Sequence, residues 1–475
     1  MSDLNFASAA SLVAAMYRGK LSAVEVMNLH YDHIERLNPT LNAIVNLLPR
    51  ERALELARGA DRAQASGAAL GPLHGLPMAS KDAVAVAGFP TTMGFAPFRD
   101  RVAAKDDLLA ARQRAAGALF IGKTNMPEFG LGSHTFNALF GLTRNPYDPN
   151  RSAGGSSGGA AVALATGMLP LADGSDMGGS LRNPASFCNV VGMRPSIGRV
   201  PEERPLGWLA RLSTCGPMAR TVADAALLLS VQAGYHAADP LSLAQPGHLF
   251  AGTLGRDLKG VRLAWSPDLG LTPVDPEVTA VIEAATGVFR DLGCTVDATC
   301  PDLAGTMDVF QVQRAAALAV TGRELDRTVP DWRDHAKDTA IWNIERGFAL
   351  GAEELLRAEA ARTEIYRRTV SFFEDYDALL LPAAQVPPFP ADQPWVREVA
   401  GRPMATYIDW MTICCAISVT GMPALSVPAG FTAAGLPVGL QIVTGPHDDL
   451  RLLQLAHEFE QATLWHQRHP QVAAP

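Results

Sequence analysis

Three short segments carry residue types that can do chemistry together. Leu76-Pro77-Met78-Ala79-Ser80-Lys81-Asp82 sets an amine among weakly polar neighbours. Gly154-Gly155-Ser156-Ser157-Gly158-Gly159 holds serines in a glycine-rich loop, and Asp176-Met177-Gly178-Gly179-Ser180-Leu181-Arg182 holds a serine behind two glycines. A nucleophilic hydroxyl needs a base to take its proton and backbone N–H donors for the oxyanion it creates. Lys81 can be that base once its charge is suppressed, and glycines leave a backbone bare enough for N–H groups to converge on one oxygen. The chemistry this points to is acyl transfer by a serine, with lysine in place of histidine as the ultimate base.

Each segment alone has a plainer reading. Lys81 could snorkel to the surface, the GGSSGG loop could be a connector or helix cap, and Met177–Ser180 an ordinary tight turn. Two familiar patterns are decoys. Gly117–Thr124 fits the GxxxxGK[ST] phosphate loop, but its middle residues, Ala118-Leu119-Phe120-Ile121, read as an apolar strand and cannot offer free N–H groups to a phosphate. Gly154–Gly158 fits GxSxG, yet a nucleophile elbow needs a strand just before its serine, and the turn-rich Arg144–Arg151 precedes this one.

The elements that must position these residues follow from periodicity. Residues 5–65 read as helical: Ser22-Ala23-Val24-Glu25 is a capping box, and His30 and His33 are expected on a solvated face. Further helices are expected over 107–116, 160–168 and 218–235, the last capped by Thr221, with a strand over 118–122. From about 260 strands and helices alternate: 261–265, then a helix over 276–292, then 294–296, a helical stretch over 305–376 and a strand over 377–382. That rhythm predicts a partly parallel sheet covered by helices. Two β-like runs, 424–428 and 439–443, close the sheet.

The chain has 475 residues, 48% hydrophobic and 19% charged, with a net charge of −8. That balance gives ample core and argues against nucleic acid or an anionic membrane as a partner. The six cysteines, Cys188, Cys215, Cys294, Cys300, Cys414 and Cys415, show no CxxC or zinc-type spacing, so no metal is expected. The start of the chain shows no secretory signal, and the uncharged stretches 154–172 and 413–432 are broken by glycine or proline, so a reducing cytoplasm fits best.

Taken jointly, the motifs resemble the amidase signature family, whose hallmark is a Ser-cisSer-Lys triad. The matching positions are Lys81 in Gly75-Leu76-Pro77-x-x-x-Lys81-Asp82, Ser156 in the GGSSGG loop, and Ser180 in Asp176-x-Gly178-Gly179-Ser180-x-Arg182-x-Pro184. Supporting stretches include Gly122–Phe129, Val191–Pro195 and Gly435–Gln441. The likeness runs from about 70 to 225 and from 408 to 446.

The resemblance implies an α/β fold: a single large domain over 1–475, with a mixed, mostly parallel β-sheet core covered by helices on both faces. A helical layer would span 1–65, the signature core 70–225, a variable, largely helical region 240–400, and closing strands 408–446. It implies Ser180 as nucleophile, Ser156 after a cis peptide as relay and Lys81 as base. The backbone N–H groups of Met177, Gly178, Gly179 and Ser180 would be the oxyanion donors, and no cofactor or metal is implied. Met177 departs from the threonine or isoleucine usual there. Asp176 and Arg182 are expected to hold the loop. Candidate pocket residues are Trp208 and Arg211 in the segment 201–212, and Tyr407 and Trp410. The implied activity is hydrolysis of a small, mainly apolar amide, anilide or carbamate by a monomer or homodimer. The rivals are the glutaminase subunit of a tRNA-dependent amidotransferase, and a non-catalytic binding protein on the same fold.

Overall fold

The computed structural model describes residues 4–209 and 211–474. Short runs of consecutive apolar residues, Leu379-Leu380-Leu381 and Ala424-Leu425 among them, become fully buried strands at the heart of a large sheet. In chain order the strands are β1 (Ile44–Val45), β2 (Pro77–Lys81), β3 (Leu119–Thr124), β4 (Phe136–Asn137), β5 (Gly141–Leu142), β6 (Leu171–Asp176), β7 (Val191–Arg194) and β8 (Thr214–Ala219). They continue as β9 (Arg262–Trp265), β10 (Thr295–Ala298), β11 (Ala378–Pro382), β12 (Glu398–Val399), β13 (Arg402–Pro403), β14 (Ala424–Phe431) and β15 (Pro437–Thr444).

Eight of them form one sheet in the order β10-β9-β11-β15-β14-β7-β8-β6. The sheet is mixed, as expected, but its balance is not the expected parallel majority. Only β10·β9 and β9·β11 run parallel, whereas β11·β15, β15·β14, β14·β7, β7·β8 and β8·β6 are antiparallel. The parallel strands are the ones read from the strand–helix rhythm after 260, where the crossover helix Pro276–Asp291 joins β9 to β10. A hairpin joins β14 to β15, and hairpin geometry forces antiparallel pairing.

Helices cover both faces. A Cβ on Gly430 would meet Val281 of helix Pro276–Asp291, and one on Gly439 would meet Ser186 of helix Arg182–Phe187. Gly430 pairs with Val438, the neighbour of Gly439, so the two helices lie on opposite faces. A smaller sheet, β1-β3-β2, carries Lys81 at the end of β2. The helix Gly158–Ala165 is buried throughout and packs against β2, β3, β6 and β8, which brings the serine loop between the two sheets.

The capping box at Ser22 forms: its hydroxyl accepts from Glu25 N–H and the Glu25 carboxylate accepts from Ser22 N–H. The expected solvated histidine face is corrected. His30 is fully buried, with Nδ1 3.0 Å from Gly167 O, and His33 Nδ1 lies 3.0 Å from Thr166 O. The carbonyls just past the helix Gly158–Ala165 need donors, and these two side chains stand one helical turn apart to serve them. The helical region after 305 resolves into Thr306–Thr328, Asp338–Phe348 and Ala352–Asp375. Among the described residues no helix is long and apolar enough to cross a membrane.

Candidate active site

Strand β2 delivers Lys81 into the interior. Its backbone N–H donates to Asp173 Oδ1 on β6 at 2.8 Å, and Ser80 Oγ donates to Asp173 Oδ2 at 2.6 Å, so Asp173 holds the strand end. The Lys81 side chain is fully buried. Its Nζ lies 2.7 Å from Ser156 Oγ, 2.9 Å from Ser157 Oγ, 3.1 Å from Ser175 Oγ and 3.3 Å from Ser175 O. Among the described residues no carboxylate bonds to it. Burial pushes its pKa down to about 8, attraction to the acidic groups around it, Asp176 and Asp173 among them, offsetting only part of that. At pH 7 about one molecule in ten then carries the neutral amine, against about one in a few thousand for an ordinary lysine.

The serine loop is clamped from outside. Thr135 Oγ1 donates to Gly154 O at 2.8 Å and Ser133 Oγ donates to Gly155 O at 2.6 Å, and the Gly155–Ser156 peptide is cis. Ser157 starts the helix Gly158–Ala165, and its N–H donates to Ser180 O at 3.2 Å, tying the two serine loops together.

The loop after β6 wraps around Asp176. The Asp176 carboxylate accepts from Gly179 N–H at 2.8 Å, Leu181 N–H at 3.1 Å, and Arg182 Nε and Nη2 at 3.0 and 2.9 Å. Arg194 donates to the Asp176 carbonyl, and Arg182 Nη1 donates to Gln441 Oε1 at 2.6 Å. Burial alone would raise the Asp176 pKa; attraction to Arg182, its hydrogen bonds and Arg194 outweigh that and hold it well below the carboxylate range. This arrangement corrects the expected donor set. The Gly179 N–H is committed to Asp176, while those of Met177, Gly178 and Ser180 have no acceptor among the described residues. Gly179 is required for the turn itself: φ is +110°, and a Cβ there would sit 2.7 Å from Cys414 Cβ.

Ser156, Ser180 and Met177 line a cavity of about 470 Å³. Its lining is partly apolar, with Met93, Met126, Phe129, Leu131 and Leu318, and also includes Lys105, Asp106, Asp107, Glu202 and Glu203. A second, smaller space on Ser180 is lined by Met177, Gly178, Phe310, Arg314 and Tyr407. Of the four pocket candidates, only Tyr407 lines a space beside Ser180. Trp208 is 78% exposed at the surface, on a loop whose neighbours Pro201, Glu202 and Glu203 do reach the cavity. Arg211 is turned to Asp239, donating through Nη1 and Nη2 at 2.6 and 2.9 Å. Trp410 is core, 5.3 Å from the Phe389 ring and 6.4 Å from Phe187. Aromatic residues fill cores and pockets alike, and one sequence does not tell them apart.

Sequence reasoning missed Ser157, Ser175 and Asp173 around Lys81, and Phe310 and Arg314 beside Ser180. The two helical residues come from Thr306–Thr328, over 120 positions from the serine, with no motif to mark them. Ser157 stood inside the GGSSGG segment and could have been paired with Ser156 as a second partner for the amine. Among the described residues no three His, Cys, Asp or Glu side chains gather as metal ligands.

Comparison with known proteins agrees with this architecture. Residues 25–453 match the Amidase family model. An acylamidase of Rhodococcus erythropolis is 37% identical over 98% of both chains. A glutamyl-tRNA(Gln) amidotransferase subunit from Thermosynechococcus vestitus is 34% identical over 96% of this chain and 98% of that protein. Among solved structures, a bacterial aryl acylamidase of the amidase signature family superimposes with a TM-score of 0.93 at 30% identity, covering 99% of both chains. A 6-aminohexanoate cyclic dimer hydrolase superimposes at 0.88 and 26% identity, covering 99% of this chain and all of that one. The protein is a hydrolase acting on carbon–nitrogen bonds. The chain belongs to the amidase family, in its amidase signature branch.

Proposed function

We propose that this chain hydrolyses small, mainly apolar amides, anilides or carbamates through an acyl-enzyme on Ser180. The observation that carries the mechanism is the buried Lys81 amine, free of any bonded carboxylate and 2.7 Å from Ser156 Oγ. Ser175 O can only accept, so it takes one N–H of the neutral amine and leaves the lone pair available to Ser156. Lys81 takes the proton of Ser156 as Ser156 takes that of Ser180, and Ser180 Oγ bonds to the substrate carbonyl carbon. The N–H groups of Met177, Gly178 and Ser180 receive the oxyanion. Collapse breaks the C–N bond, and the relay returns its proton to the departing nitrogen, which an amide leaving group needs. Water then attacks the ester carbon and releases the acid, restoring Ser180. The apolar share of the cavity lining, Met93, Met126, Phe129, Leu131 and Leu318, supports a mainly apolar substrate.

The likeness to the amidotransferase subunit supports a second reading, glutamine hydrolysis with a partner chain. Among the described residues no carboxylate lines the small space beside Ser180, and the larger cavity there combines Asp106, Asp107, Glu202 and Glu203 with the apolar Met93, Met126, Phe129, Leu131 and Leu318; that apolar share favours the first reading. We take residues 1–475 as one domain acting as a monomer or homodimer. Its six free thiols suit a reducing cytoplasm.

The test is a panel of aliphatic amides, anilides, carbamates and glutamine on the purified chain, with Ser180→Ala as control. Hydrolysis of anilides that Ser180→Ala abolishes supports the proposal. Activity on glutamine alone, and only with a second protein bound, would reverse the order of the two readings.

A further inference from the structure

The small space beside Ser180 holds a cation with no anion. Arg314, on the helix Thr306–Thr328, is 4% exposed and forms no ion pair among the described residues. Its Nη1 donates to Tyr407 Oη at 2.7 Å, its Nη2 to Gln311 Oε1 at 3.1 Å, and its Nε–H has no acceptor among the described residues. A guanidinium has five N–H groups and stays charged, so several donors are unused. Tyr407 does not relieve this. Its oxygen accepts from Asn343 Nδ2 at 2.6 Å as well as from Arg314, and its own O–H finds no acceptor among the described residues. Thr339 O accepts from the same Asn343 Nδ2 at 2.6 Å, which fixes that amide's orientation.

Aromatic rings are what stabilise the buried charge. The guanidinium carbon lies 5.8 Å from the Phe310 ring, 5.7 Å from Trp342 and 5.6 Å from Tyr407. Such faces temper the charge without using its N–H groups. Arg314 and Tyr407 line a space of about 40 Å³ that is also walled by Ser180 and Gly178. By the same measure a water needs roughly 10–15 Å³, so the space takes roughly three heavy atoms, the size of a carboxylate.

We infer that this is a recognition subsite for a carboxylate on a short arm of the substrate's acyl group, with Arg314 as the principal donor and Tyr407 its support. The inference rests on Ser180 being the nucleophile and narrows the substrate class to amides of short dicarboxylic acids. The larger cavity that Ser180 also lines receives the amine half. An α-amino acid fits poorly, because no acidic residue lines the space for an adjacent ammonium.

Binding tests the subsite without requiring turnover. In the Ser180→Ala protein, calorimetry compares malonic acid monoanilide with propionanilide, its uncharged match in length. The carboxylated ligand is expected to bind roughly 10- to 100-fold more tightly, the value of charge-assisted hydrogen bonds made away from water. Adding Arg314→Met should remove that preference, and Arg314→Lys should restore part of it. Turnover by the wild-type enzyme, read as aniline release, should show the same ratio in kcat/KM. Equal binding of the two ligands overturns the subsite, as does a preference that survives Arg314→Met; the first result needs no Arg314 variant to fold. Preferential binding without aniline release from either ligand would leave the subsite standing and sink the amidase reading of Ser180.

Discussion

Replacing Lys81 with methionine should make the protein inactive and more stable. The amine is lowered from its ordinary 10.5 to about 8, with burial as the leading cause. At about 1.4 kcal/mol per tenfold, the charged form is disfavoured in the folded protein by roughly 3 kcal/mol relative to the unfolded chain. Methionine has a similar length, carries no charge and removes this penalty. It also gives up the amine's hydrogen bonds to Ser156, Ser157 and Ser175, an offset of about 1 kcal/mol because the three hydroxyls can still pair with one another. A net gain of about 2 kcal/mol at pH 7 is expected.

The pH dependence is cleaner, because that offset does not titrate. Between pH 8 and 10.5 the unfolded chain binds more protons than the folded one, so wild-type stability rises with pH in that window. The penalty is fully present well below pH 8 and is gone above 10.5. The advantage of Lys81→Met should therefore shrink by about 1 kcal/mol between pH 7 and 9. Urea unfolding of both proteins at pH 7, 8 and 9 measures this, and the difference between them cancels every other titrating group. A variant less stable than wild type by a constant amount across that range would refute the reasoning. It would mean that Lys81 is charged and well compensated in the folded state, and the relay would lose its base.

The same group sets the acid limb of the rate. Below about pH 8 kcat/KM should fall about tenfold per pH unit, because only neutral Lys81 can accept a proton, and it should level off above; a flat profile from pH 6 to 9 contradicts this. Asp176→Asn leaves Arg182 and Arg194 buried without their carboxylate, so a loss of about 3–5 kcal/mol is expected in denaturant unfolding. Gly178→Ala would place a Cβ 2.9 Å from Cys415 Sγ and from the Phe310 ring. The loop must shift, and kcat should fall by about 10²-fold with the fold retained, checked by kinetics beside circular dichroism.

What could be read in advance followed the local character of each signal. Capping at Ser22 and Thr221 and the helix Pro276–Asp291 depend on neighbours a few positions away, and they form close to the expected bounds. Strands β2, β6 and β8 gave no such signal. Pro77–Lys81 lacks an apolar run, and Leu171–Asp176 and Thr214–Ala219 are strands because partners from elsewhere complete their hydrogen bonds. The parallel majority was misjudged for a related reason: pairing direction depends on how connections return, and the rhythm after 260 described only one end of the sheet.

The sequence by itself determined which residues are the candidates for the chemistry. Lys81, Ser156 and Ser180 sit in segments whose glycines and weakly polar neighbours already restrict what they can be. Tertiary structure decided their state and their surroundings. Lys81 loses much of its affinity for a proton only because β2, β6 and the helix Gly158–Ala165 close over it, and burial is a property of the assembled chain. The Gly179 N–H is engaged within its own loop because Asp176 folds back onto it. Arg314 becomes a feature of the site only when a helix far along the chain is laid beside Ser180. Spacing records what the backbone can bring together locally; charge, solvent exclusion and pocket shape arise from contacts between distant segments.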